Sequence, residues 1–163
     1  MLVRIFGVDP GLNATGYGLV DASLQGVKII EAGSIEPRSN NLFQDRLCSI
    51  YQHLAGFIVR YHPDVLVLEK LYAHARHPAT APVIGHVRGV ICLLCAQHHL
   101  ELVEYSVKRV RKALIGNGNA TKEQTRDWVR RILKLKNAPL TLDTSDALAL
   151  ALGHAHMKRF KIL

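Results

Sequence analysis

Asp9, Glu69, Asp143 and Asp146 are the side chains of this sequence best placed to do chemistry. Each stands at the edge of an apolar element, and three of the four have no basic neighbour. Asp9 ends the run Leu2 to Val8, Glu69 ends Val65 to Leu68, and Asp143 with Asp146 opens the helix-like segment that finishes the sequence. Carboxylates gathered in one place repel, and a cation offsets that cost. Ions of the Mg²⁺ or Mn²⁺ type accept such oxygen ligands, and two of them about 4 Å apart can serve an in-line displacement at phosphorus. The pattern therefore points to metal-assisted phosphodiester hydrolysis. Taken singly, each acid has an ordinary use. Asp9 before Pro10-Gly11 forms a turn, Glu69 pairs with Lys70, and Asp143 and Asp146 favour a helix start. Only their joint placement argues for a site.

The elements must then bring them together. Residues 2–9 read as a strand, with Gly16 to Asp21 and Val27 to Ile35 as two more, forming an antiparallel meander. Leu42 to Tyr61 has helical periodicity, and Val65 to Leu68 reads as a strand buried on both faces. Pro82 to His98 reads as a helix and Leu100 to Tyr105 as a fifth strand. Ser106 caps a short helix that stops at Gly116-Asn117-Gly118-Asn119. Thr121 to Gln124 is a capping box that opens another helix, and the last runs from about Thr144 to Lys158. The expected fold is α/β: a mixed five-stranded sheet, three-stranded antiparallel meander plus parallel strands, with helices on both faces, in a single domain over 1–163. Ligands of such sheets gather at carboxyl strand ends, where Asp9 and Glu69 stand. The spacing of three between Asp143 and Asp146 puts both on one helix face.

The net charge of +8 is concentrated. Lys108 to Lys136 holds ten basic residues against Glu123 and Asp127, while the remainder is balanced. Such a segment fits a polyanion such as nucleic acid. Lys122, Arg126, Arg130 and Lys134 recur every four residues as one basic stripe, with Trp128 and Ile132 turned to the core. Arg109, Arg111 and Lys112 precede the Gly-Asn loop. No apolar run is long enough to span a membrane, and the start lacks a signal-peptide pattern, so a cytoplasmic protein is expected. Cys92 and Cys95, on one helix, cannot enclose zinc with His98 and His99, and both are expected to be core thiols.

Asp9-Pro10-Gly11-Leu12-Asn13-Ala14-Thr15-Gly16-Tyr17-Gly18, the strand ending in Glu69, Gly85 to Gly89, Tyr105 to Lys122, and Asp143 to Ala149 together resemble the RuvC family of bacterial Holliday junction resolvases. The resemblance runs nearly end to end. It implies an RNase H-like fold, a homodimer, and paired symmetric nicks in four-way DNA junctions that leave 5′-phosphate and 3′-hydroxyl ends. It places Asp9, Glu69, Asp143 and Asp146 on the metal-binding catalytic acids, with two Mg²⁺ per site and Mn²⁺ as substitute. It also implies cooperation with the branch-migration motor RuvAB. Tyr72, three residues past Glu69, matches an aromatic that contacts junction bases, and Arg76 lies in the same loop. Arg111 and Lys122 fall near basic positions implicated in junction binding. His154 and His156 are expected to be structural or surface residues.

Other readings compete. An actin-like ATPase shares the Asp-x-Gly turn but needs a second domain, for which 163 residues leave no room. An RNase H-like ribonuclease processing structured RNA would use the same acids. A junction-binding module without catalysis would have no need of them.

Overall fold

The structure is a computed structural model and describes residues 2–70, 81–135, 139–160 and 162. Five strands, β1 (Val3–Asp9), β2 (Thr15–Ser23), β3 (Gly26–Ile35), β4 (Val65–Glu69) and β5 (Glu101–Tyr105), form one sheet in the order β3-β2-β1-β4-β5. β1, β2 and β3 are the antiparallel meander, and β1, β4 and β5 pair in parallel. The helices are α1 (Phe43–Tyr61), α2 (Ala81–Gln97), α3 (Val107–Ile115), α4 (Lys122–Ile132) and α5 (Leu142–Met157). No described helix is long and apolar enough to cross a membrane.

The period-2 alternation of strands sorts side chains to two separate cores. Phe6, Val8, Leu66 and Leu68 point to one face and pack with Ile50, Leu54 and Ile58 of α1 and Val87, Ile91 and Leu94 of α2. Ile5, Val65 and Val67 point to the other, against Val110 and Leu114 of α3, Val129 and Ile132 of α4 and the apolar length of α5. β4 is buried on both faces through Val65 to Leu68, as its uninterrupted apolar run requires.

Local signals set the helix ends. Ser106 Oγ accepts from the Arg109 amide to start α3, and Gly116, at φ 80°, ends it in the left-handed region that glycine adopts without a Cβ clash. Thr121 and Gln124 form the reciprocal capping box of α4. Thr141 caps α5 by accepting from the Thr144 amide, so this helix begins two residues before the expected Thr144.

Two expectations fail. Lys134 lies beyond α4 with φ 55°, so the helical basic stripe ends at Arg130. The chain turns out of the helix at Leu133, whose amide bonds back to Arg131 and Val129. Cys92 is exposed while Cys95 is buried. Three residues turn a helix by about 300°, and here that moves position 92 off the face that carries Ile91, Leu94 and Cys95.

Candidate active site

β1 and β4 are parallel neighbours in register through Val8 and Leu68. Asp9 and Glu69 each follow that pair by one residue, so both carboxylates emerge side by side at the carboxyl edge of the sheet. The other two acids arrive on α5, which lies directly on β1 and β2. Two glycines allow that approach. A Cβ at Gly16 would stand 2.1 Å from the Asp143 carbonyl oxygen, and a Cβ at Gly7 would stand 2.1 Å from that of Ala147. Gly16 is also the register partner of Asp9. The first turn of α5 is thereby held against the strand opposite Asp9, and Asp143 and Asp146 reach the same edge.

The electrostatics of the edge follow from that proximity. Burial first, then the charges of Asp146, Glu69 and Asp143, push the Asp9 carboxyl up to about 7, against the opposing pull of Lys122. Glu69 is also raised, by burial and by Asp146, while Lys122, Arg111 and Arg88 act to lower it. Lys122, the first residue of α4, donates to Asp146 Oδ2 at 2.7 Å. Burial acts to lower Lys122, but the bond to Asp146 and the charges of Asp146, Asp9 and Glu69 outweigh it and raise the ammonium. Half-buried carboxylates from β1, β4 and α5 thus share one anionic edge with a lysine drawn into it.

This donor set fits hard divalent cations: all its side-chain donors are oxygens, and the mutual repulsion is what a metal relieves. Among the described residues, no three Asp, Glu, His or Cys side chains close around one common position, so the acids converge without forming a finished cage. A cleft of about 150 Å³ opens beside them, lined by Glu69, Arg111, Lys122 and Asp146 over the apolar floor of Val107, Val110 and Leu150. A smaller hollow of about 90 Å³ on the other side is lined by Asp9, Pro10, Glu69, Ile84 and Arg88.

Arg88 is the residue that sequence reasoning missed. It sits on the largely apolar α2 and donates Nη1 to the Glu69 backbone carbonyl and Nη2 to the Glu104 carboxylate. It thereby ties α2 to β4 and β5 behind the site. A single cation inside the long apolar stretch from Val83 to Leu100 was the available signal.

The basic residues divide. Arg111 and Lys122 face the acids across the cleft. Arg109 instead lies over the Tyr105 ring, 5.1 Å from its centroid, and Lys112 is exposed near the end of α3. Arg126 and Arg130 follow Lys122 along α4, half-buried, with Trp128 partly packed on the core and covered by Arg131 at 5.1 Å. Tyr72 and Arg76 lie outside the described residues. His154 is buried, its Nδ1 3.0 Å from the Tyr105 hydroxyl, and His156 is exposed, as expected of a structural and a surface residue.

Comparison with known proteins agrees with the geometry. Residues 5–154 match the family described as crossover junction endodeoxyribonuclease RuvC. The RuvC of Alkaliphilus metalliredigens is 38% identical over 98% of this chain and 96% of its own length. That of Chloroherpeton thalassium is 40% identical over 91% of this chain and 80% of its own. Among solved structures, Thermus thermophilus RuvC superposes with a TM-score of 0.85 at 26% identity over 99% of both chains. The yeast mitochondrial Holliday junction resolvase shares the fold at a TM-score of 0.69 and 14% identity, covering 94% of this chain and 78% of the other. Neither the ATPase nor the ribonuclease reading is favoured by these relatives. The chain belongs to the RuvC family of crossover junction endodeoxyribonucleases, divalent-metal-dependent nucleases that hydrolyse phosphodiester bonds to resolve Holliday junctions.

Proposed function

We propose that Asp9, Glu69, Asp143 and Asp146 hold two Mg²⁺ ions, replaceable by Mn²⁺, and that residues 1–163 work as one nuclease domain. The observation that carries this reading is the convergence of acids from β1, β4 and α5 on one edge, where repulsion and burial push Asp9 up to about 7. Bound divalent ions would supply activation of the attacking water and stabilisation of the leaving 3′-oxygen. The chain's own part is to fix the oxygen ligands on rigid elements. Glu69 is held at its backbone by Arg88, and Asp143 by the contact of α5 with Gly16.

Arg111 and Lys122 flank the cleft and supply positive charge where a phosphodiester would enter. Lys112, Arg126 and Arg130 extend that charge over α3 and α4, with Arg109 on the same segment. The Thermus thermophilus RuvC bound to a Holliday junction substrate has the same fold at a TM-score of 0.85 and 24% identity, which supports a branched DNA as the polyanion. Tyr72 and Arg76 would contact the branch, as the resemblance to the family implies.

A homodimer would present two such sites to opposite strands and so produce paired symmetric nicks with 5′-phosphate and 3′-hydroxyl ends. The exposed apolar side of α2, around Gly85, Gly89 and Leu93, supports that helix as the interface. Cytoplasmic location and cooperation with RuvAB rest on family membership.

One assay tests the reading. A mobile synthetic four-way junction is incubated with the protein in Mg²⁺, in Ca²⁺ or in chelator. Symmetric nicks in Mg²⁺ and none in chelator are expected. Undiminished cutting in chelator overturns the metal assignment, and preferential cutting of structured RNA overturns the substrate.

A further inference from the structure

Lys122 directly follows the capping Thr121 at the start of α4, and its ammonium reaches across to α5. There it hydrogen-bonds Asp146 Oδ2 at 2.7 Å, with the charges of Asp9 and Glu69 acting on the same group. A cation therefore already sits among the acids, and Asp146 is engaged with it. The same Asp146 oxygen cannot offer its full charge to a metal while it accepts this bond.

Resting on the metal-binding reading above, we propose that the Lys122 ammonium is a built-in placeholder that a divalent metal must displace from Asp146. Four carboxylates brought together without a cation repel one another. An ammonium lowers that cost in the metal-free chain and yields when a doubly charged ion arrives. The chemistry of lysine suits exchange better than that of arginine. Its ammonium is a compact, well-hydrated point charge on a flexible stem, without the planar fork that locks a carboxylate bidentately. The side chain is 54% exposed and Asp146 only 18%, so the lysine can swing into solvent while the acid stays in place.

The test is Mn²⁺ binding to the intact protein, read by the loss of the free-ion paramagnetic resonance signal. Lys122→Met keeps the stem and removes the charge, and it is expected to bind Mn²⁺ roughly ten-fold more tightly, the scale of one charge interaction near a protein surface. Lys122→Arg keeps the charge and should stay within a few-fold of the parent affinity. Equal or weaker binding by a folded Lys122→Met protein overturns the proposal. A second measurement does not depend on the variants: in the unsubstituted chain carrying ¹³Cε-lysine, the Lys122 signal must shift as Ca²⁺ saturates the site, and an unmoved signal also overturns it. If neither the parent nor Lys122→Met binds Mn²⁺, the metal-site reading fails as well. If the parent binds and the variant gains nothing, only the placeholder fails.

Discussion

Gly16 and Asp143 touch through their backbones: a Cβ at Gly16 would lie 2.1 Å from the carbonyl oxygen of Asp143. No real contact is that short, so any side chain at position 16 must push α5 off β2. Gly16→Ala is expected to cost about 1–3 kcal/mol of stability, the usual cost of overpacking. It should also lower junction cleavage more than junction binding, because Asp143 and Asp146 move away from Asp9 while the basic residues of α3 and α4 remain. Denaturant unfolding with paired cleavage and gel-shift assays checks both parts.

Gly56 offers the contrast. It lies exposed in the interior of α1, and a Cβ there meets nothing within 4 Å. Gly56→Ala should therefore stabilise the protein by about 0.5–1 kcal/mol through helix propensity, with cleavage unchanged. A lower melting temperature for this variant contradicts the packing described for α1.

Removal of a single carboxylate from the acid edge should separate catalysis from recognition. Asp9→Asn and Glu69→Gln are each expected to reduce cleavage by on the order of 10³-fold or more while junction affinity holds, since the proposed DNA contacts lie on other residues. Single-turnover cleavage and binding in Ca²⁺ measure the two quantities. Cleavage near the parent rate by either variant removes that acid from the site.

The raised carboxyl of Asp9 has a consequence for stability without metal. The folded chain keeps the Asp9 proton up to about 7, whereas the ordinary value is 3.8. The folded state therefore gains stability that is fully present below the lower value and is lost as pH rises through the upper one. In chelator, the melting temperature should fall between about pH 4 and about pH 7, and Asp9→Asn should fall less. Ca²⁺ should recover the loss in the parent chain at the higher pH, because binding to the folded state adds stability by mass action. Identical pH profiles for the two proteins contradict the desolvated placement of Asp9.

The proposed function places Arg126 and Arg130 against the DNA backbone. Each replacement by alanine should weaken binding across junction sequences alike and flatten the salt dependence of log affinity by about one unit of slope. Filter-binding titrations at several salt concentrations read this directly. An unchanged slope assigns that arginine to packing along α4.

Much of the architecture was legible because it follows local periodicity. The buried run Val65 to Leu68, the capping box at Thr121 and the Gly116 stop are signals carried by a few adjacent residues, and the elements appear within a residue or two of their expected places, with β2 extending at both ends, except that α4 stops at Ile132, well short of the Asn137-Ala138-Pro139 stretch expected to end it. Helix ends and faces were less legible. Thr141, the cap of α5, lies outside the apolar pattern that marked Thr144 as the start. Lys134 kept the spacing of a helical stripe, but the helix ends before it. Cys92 looked as apolar as Cys95, and only the orientation of α2 against the sheet exposes one and buries the other.

The residue types and order alone determined that this chain carries four acids at element edges and one concentrated basic segment, because chemistry and net charge are local properties. Tertiary structure alone decided that Arg88 clamps Glu69 from behind, that Arg109 lies on Tyr105, and that Lys122 reaches Asp146. Two of those pairings join residues 19 and 24 positions apart and depend on how helices settle on a sheet. Gly7 and Gly16 settle α5 there by what they lack, since the missing side chains open the space that its backbone fills.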